Sequence, residues 1–100
     1  MKRTLIRYRT RPEAADANAK LVEAVFAELA EKGPDGLRYL SLRLEGDAFV
    51  HFVESNSDPS PLPGLQTFKT FQQGIRERCL EPPDPRAVTI LGNYRMLGVR

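Results

Sequence analysis

One hundred residues with a net charge of +2, 41% apolar and 28% charged, describe an ordinary globular chain rather than a disordered or membrane one. That length predicts a single domain over residues 1–100 that buries only about 60–65% of its unfolded surface, so burial in an oligomer would add stability. The charge is too small to imply nucleic acid, and the lone Cys79 excludes an intrachain disulfide or a metal site built from cysteines.

Hydrophobic period two over Thr4–Thr10 predicts the first strand, with Thr4, Ile6, Tyr8 and Thr10 on one face and Leu5, Arg7 and Arg9 on the other. Thr10-Arg-Pro-Glu13 fits a capping box, and period 3.6 over Glu13–Lys32 predicts the first helix. Its apolar stripe is Leu21, Val22, Val25, Phe26 and Leu29, and Gly33-Pro34 is its stop signal. Two period-two runs follow, Leu37–Leu44 and Ala48–Glu54, joined by a hairpin turn at Glu45-Gly-Asp47. Ser55–Gly64 is a loop by composition. Helical spacing returns over Leu65–Leu80, with Gly74 inside it, and Glu81-Pro-Pro-Asp-Pro85 predicts a firm end. A last alternating run, Ala87–Arg95, predicts the fourth strand.

The order β-α-β-β-α-β predicts an α+β, ferredoxin-like fold: a four-stranded antiparallel sheet with two helices on one face. Ile6 and Tyr8, with Leu40, Leu42, Val50 and Phe52, are expected to meet the helices. The other face would then collect Leu5, Arg7, Tyr39, Arg43, Phe49, His51, Val53 and Asn93. Such a mixture is too apolar for water, which predicts a homodimer joined sheet to sheet.

The opening Leu5-Ile-Arg-Tyr-Arg-Thr-Arg-Pro-Glu13 and the segment Leu62-Pro-Gly-Leu-Gln-Thr-Phe-Lys-Thr-Phe71 resemble the dimeric α+β barrel superfamily. That group includes antibiotic-biosynthesis-type monooxygenases and haem-degrading oxygenases, and the element order is similar over residues 3–96. The resemblance implies a monooxygenase-like protein acting on an aromatic or polyketide-type small molecule, without metal or other cofactor. Haem-degrading members are similar in using a strand 1 Asn, a Trp and a helix 2 His. This chain has no Trp, and its only His is on strand 3, so that chemistry is not expected here.

His51 is the one residue able to act as a general base near neutral pH, or else it is a hydrogen-bonded interface histidine. With Tyr39 and Asn93 it forms the candidate catalytic set, while Arg7, Tyr8 and Arg43 are candidate substrate contacts. No second His and no cysteine cluster accompanies it, so a metal is not expected. A non-catalytic dimeric binding or accessory domain is the alternative. RNA-recognition motifs share the element order, and Gly46-Asp-Ala-Phe-Val-His-Phe52 is similar to their strand 3 signature. Asp47 replaces one stacking aromatic, and the basic first position is Glu45, so nucleic acid is not the expected partner. With no signal-peptide core and no run of about 18 apolar residues, the expected location is cytoplasmic, without a membrane partner.

Overall fold

In the computed structural model, which describes residues 1–96, β1 (Lys2–Thr10) lies at the centre of an antiparallel sheet. It pairs with β3 (Ala48–Ser55) on one side and β4 (Cys79–Ala87) on the other, and β2 (Leu37–Arg43) lies outside β3. The resulting order β2-β3-β1-β4 is the ferredoxin-like arrangement that the alternation of periods predicts. α1 (Ala15–Lys32), α2 (Gln66–Gln72) and the single turn α3 (Ile75–Arg78) complete it.

α1 buries the expected stripe through Val22 and Val25, with Leu21, Phe26 and Leu29 packed beside them. It ends where glycine allows it: Gly33 takes φ 50°, and its N–H donates to the Leu29 carbonyl at 2.8 Å. The Glu45–Asp47 turn also forms, with Gly46 at φ 97°.

Four local readings are corrected. The capping box does not form. Thr10 is the fully buried last residue of β1, and its hydroxyl donates to the Asp47 carbonyl at 3.4 Å, so α1 is entered through a 3₁₀ turn over Pro12–Ala14. The second helix is not continuous to Leu80. Gly74 takes φ 73° and separates α2 from α3, a left-handed conformation that needs no Cβ.

The fourth strand is Cys79–Ala87, not Ala87–Arg95. Pro82, Pro83 and Pro85 read as terminators, yet β4 is an edge strand whose outer side has no ladder to supply. The pairing with β1 shifts register between Arg7 and Thr10, which accommodates the proline pair.

The faces of β2 and β3 are the reverse of those expected. Ile6 pairs with His51, and His51 with Ser41, while Tyr8 pairs with Phe49. Directly paired residues share a face. Tyr8, Phe49, His51 and Tyr39 therefore lie under the helices, with Tyr8 and Phe49 stacked at 5.3 Å. Leu5, Leu40, Leu42, Val50, Phe52 and Val88 form a continuous apolar patch on the opposite, open face, where Leu42 is 52% exposed. No helix among the described residues is long and apolar enough to cross a membrane.

Candidate functional site

A cavity of about 570 Å³ opens between the sheet and α2, with a hydrogen-bonded chain of polar side chains at its buried end. β1 supplies Tyr8, β2 supplies Tyr39 and Ser41, and β3 supplies His51 between them. Strand alternation brings these side chains to one face, and the register places them side by side. Phe68 and Phe71 of α2 form an aromatic wall, and Ile6, Val53, Pro83 and Pro85 form the sheet side. α2 is held from α1: the Thr67 N–H and hydroxyl donate to Glu28 Oε1 at 3.0 and 2.6 Å. Lys32 closes that contact at 2.7 Å, and its hydrogen bond, with those from Thr67, brings the Glu28 carboxyl down to about 2.

The polar chain starts at Arg78, whose Nε donates to Asn18 Oδ1 at 3.1 Å. That contact orients the amide, so Asn18 Nδ2 donates to Tyr8 Oη at 2.8 Å. Tyr8 Oη lies 2.9 Å from His51 Nε2, and His51 Nδ1 lies 2.6 Å from Tyr39 Oη and 2.8 Å from Ser41 Oγ. Tyr8 already accepts from Asn18, and its own proton has no other acceptor among the described residues. It therefore donates to Nε2, which assigns the His51 proton to Nδ1, facing Tyr39 and Ser41. Among the described residues no buried side-chain polar atom lacks a partner.

Burial sets the protonation states. His51, 3% exposed, is pulled down to about 4 by desolvation and is neutral at pH 7. Burial raises Tyr39 to about 12 and pushes Tyr8 well above the ordinary phenol value, the Asn18 hydrogen bond offsetting part of it. Both tyrosines stay protonated donors. Arg78 is held by the Gln73 carbonyl at 2.9 Å and by the Phe71 carbonyl, with its guanidinium 5.4 Å from the Phe71 ring centroid.

Of the residues singled out in the sequence, the structure brings together His51, Tyr39 and Tyr8. It separates the other three. Arg7 lies on the open face opposite Val50. Arg43 sits outside the cavity, paired with Asp16 at 3.0 Å and donating to the Gly46 carbonyl. Asn93 follows β4 in an exposed segment and accepts from the Met96 N–H, because the strand expected to carry it is not formed there. Phe49, in the segment similar to an RNA-recognition signature, is buried against Tyr8 rather than displayed on the open face.

Asn18 and Arg78 were missed. Asn18 had a legible signal, since Ala15, Asn18, Val22 and Val25 continue one helical stripe and a polar residue on such a stripe must find a partner. Arg78 had none, because its contacts with Asn18 span 60 residues of chain.

No protein-family model and no curated protein matches the chain. Solved structures do match. Rv0793 from Mycobacterium tuberculosis superposes with a TM-score of 0.72 at 20% identity, covering 91% of this chain and 95% of that one. An antibiotic biosynthesis monooxygenase structure gives 0.72 at 16% identity over 92% and 100% of the two chains. A mutant form of SnoaB, a cofactor-independent oxygenase from Streptomyces nogalater, gives 0.65 at 12% identity over 93% and 95%. The chain has the ferredoxin-like fold of these structures. Likeness at these identities carries the architecture, and the chemistry has to be read from the cavity.

Proposed function

We propose that this protein binds a small aromatic or polyketide-type molecule in the cavity over β1 and β3 and acts on it in a monooxygenase-like way, without a metal. The observation that carries this reading is the Asn18–Tyr8–His51–Tyr39 chain at the buried end of an otherwise largely apolar, aromatic-walled cleft. Its fold neighbour SnoaB, a cofactor-independent oxygenase, supports the same class.

Within that reading the roles follow from the protonation states. His51 is a weak base once buried, since a group at about 4 would have to take a proton from a phenol near 10, an uphill transfer of about 8 kcal/mol. Its part is that of a neutral link that orients Tyr39. Tyr39 Oη accepts from His51 Nδ1–H and keeps its own proton for a substrate oxygen in the cavity. A hydroxyl aimed there stabilises the electron-rich anion of a phenol or enol that has given its proton to solvent at the mouth of the cleft, the form that reacts with dioxygen. The aromatic walls exclude water from that oxygen and strengthen the hydrogen bond.

Oxygen uptake with a hydroxylated polycyclic aromatic substrate tests this. Tyr39→Phe is expected to lower kcat by about a hundredfold while leaving the folded structure intact. Unchanged turnover in Tyr39→Phe would remove the proposed role. The low basicity of His51, and a partner for every buried side-chain polar atom among the described residues, also favour a second reading, a non-catalytic binding or accessory domain. Saturable binding without any oxygen consumption would select it.

The open face supports self-association, the occupant being a second copy of this chain. The patch of Leu5, Leu40, Leu42, Val50, Phe52 and Val88 is flanked by Arg7 and by the Arg3–Glu54 pair at 2.8 Å. Two such sheets meeting face to face would cover both patches. Sedimentation at micromolar concentration is expected to show a dimer that Leu42→Glu converts to a folded monomer. A wild-type monomer would sink the proposal.

A further inference from the structure

Among the described residues Lys2 is the one charge on the cavity wall, and its position along β1 bears on the ligand. Lys2, Thr4, Ile6 and Tyr8 all line the cleft, as residues two apart on one strand face must. They run from an exposed end at Lys2 to a buried end at Tyr8, which is 2% exposed. Lys2 pairs in register with Ser55, and Ile6 pairs with His51. Tyr39 pairs with Val53 and Val53 with Thr4, so Tyr39 stands two strands across from Lys2, about 10 Å, and two residues along, about 7 Å.

Ser55 is the polar neighbour of Lys2 across the strand pair, and among the described residues no aspartate or glutamate lines the cavity. Lys2 also forms no ion pair with a described residue, unlike Arg3, Arg9, Lys32, Arg43 and Arg86. Apart from Thr4, Ser60 and Gln72 the rest of the wall is apolar, with Ile6 and Val53 on the sheet, Phe68 and Phe71 on α2, and Pro83 and Pro85 on β4. A ligand that satisfies both ends therefore needs a hydrogen-bonding oxygen at one end, a flat apolar body, and a negative group at the other.

We propose that the ligand is an elongated hydroxylated aromatic acid, with its hydroxyl at Tyr39 and its carboxylate at Lys2. This rests on the reading of the cavity as an aromatic site and adds a polarity to it. The Lys2 ammonium is a flexible point charge on a four-carbon stem, able to follow a carboxylate at the cleft mouth without rigid geometry. It selects acids over neutral analogues of the same ring system, and acids over amines.

The test uses two probes with one ring system, 6-hydroxy-2-naphthoate and 2-naphthol, with dissociation constants measured by calorimetry or by quenching of probe fluorescence. The naphthoate is expected to bind about fivefold more tightly than the naphthol at low salt, the scale of one solvent-exposed charge pair, and the preference should shrink as salt screens it. Lys2→Gln should abolish the preference, and Lys2→Glu should reverse it. Lys2 is exposed, so neither variant endangers the fold. Binding of both probes with equal affinity, or a preference that survives Lys2→Glu, overturns the proposal and leaves the aromatic cavity standing. Failure of both probes to bind at millimolar concentration overturns the cavity reading together with it.

Discussion

Acidification from pH 7 to pH 4 is expected to cost the wild-type protein about 3 kcal/mol of folding stability through His51 alone. In the unfolded chain the imidazole titrates near 6.5, whereas in the folded protein burial holds it at about 4. Because the folded value is the depressed one, the unfolded state takes up the proton first as pH falls. Stability is therefore undiminished above about 6.5 and declines from there to about 4, with about 2 kcal/mol lost at pH 5. Desolvation excludes the proton, and the hydrogen-bond directions oppose it as well. A charged imidazole donates from both nitrogens, but Tyr8 Oη already accepts from Asn18 and would lose its own acceptor. Urea denaturation of wild type and His51→Gln at several pH values isolates the contribution. The difference between the two should change between pH 6.5 and 4. Glu28, held down to about 2, acts in a separate window below about 4.5. Parallel pH profiles for the two proteins would contradict the neutral, buried His51.

Asn18 is expected to carry the second largest effect, and its two replacements should fail differently. Asn18→Leu leaves Tyr8 without its donor and Arg78 Nε without its acceptor in a site where Asn18 is fully buried. Losing both at once should destabilise by about 3 kcal/mol. Asn18→Asp keeps the acceptor for Arg78 but presents a second acceptor to Tyr8. The Tyr8 hydroxyl then turns to the carboxylate, Tyr8 Oη becomes free to accept, and the His51 proton moves from Nδ1 to Nε2. Nitrogen-15 chemical shifts of the single histidine report that tautomer directly. Wild type should show protonated Nδ1, and Asn18→Asp protonated Nε2. An Nε2–H tautomer in wild type would mean that the chain of donors does not run outward from Arg78, and the role given to Tyr39 would fall with it.

The same chain of contacts shows how far residue types alone could be read. His51, Tyr8 and Tyr39 stood out because a lone imidazole and two phenols on alternating strands are few enough to enumerate. Their meeting was not foreseeable from either strand by itself. β3 offers two apolar faces, Ala48-Val50-Phe52 and Phe49-His51-Val53, and alternation ranks neither above the other. Only the pairing of Ile6 with His51 turns the second face toward the helices. The arginines illustrate the opposite error. Arg7 and Arg43 were attractive as anion binders, yet one projects from the open face and the other is engaged by Asp16. Lys2, the first residue of β1, lines the cavity instead.

What the amino-acid order determined by itself was the succession of elements, the stop at Gly33, the hairpin at Gly46 and hence the ferredoxin-like architecture. These depend on side-chain period and on backbone freedom at single glycines, which act within a few residues of chain. Tertiary structure alone decided which sheet face is buried, that a proline-rich segment serves as the edge strand, and that Asn18 and Arg78 join His51. Each of those depends on register between strands or on contacts as much as 60 residues apart, where the free energy lies in pairing and burial rather than in local conformation.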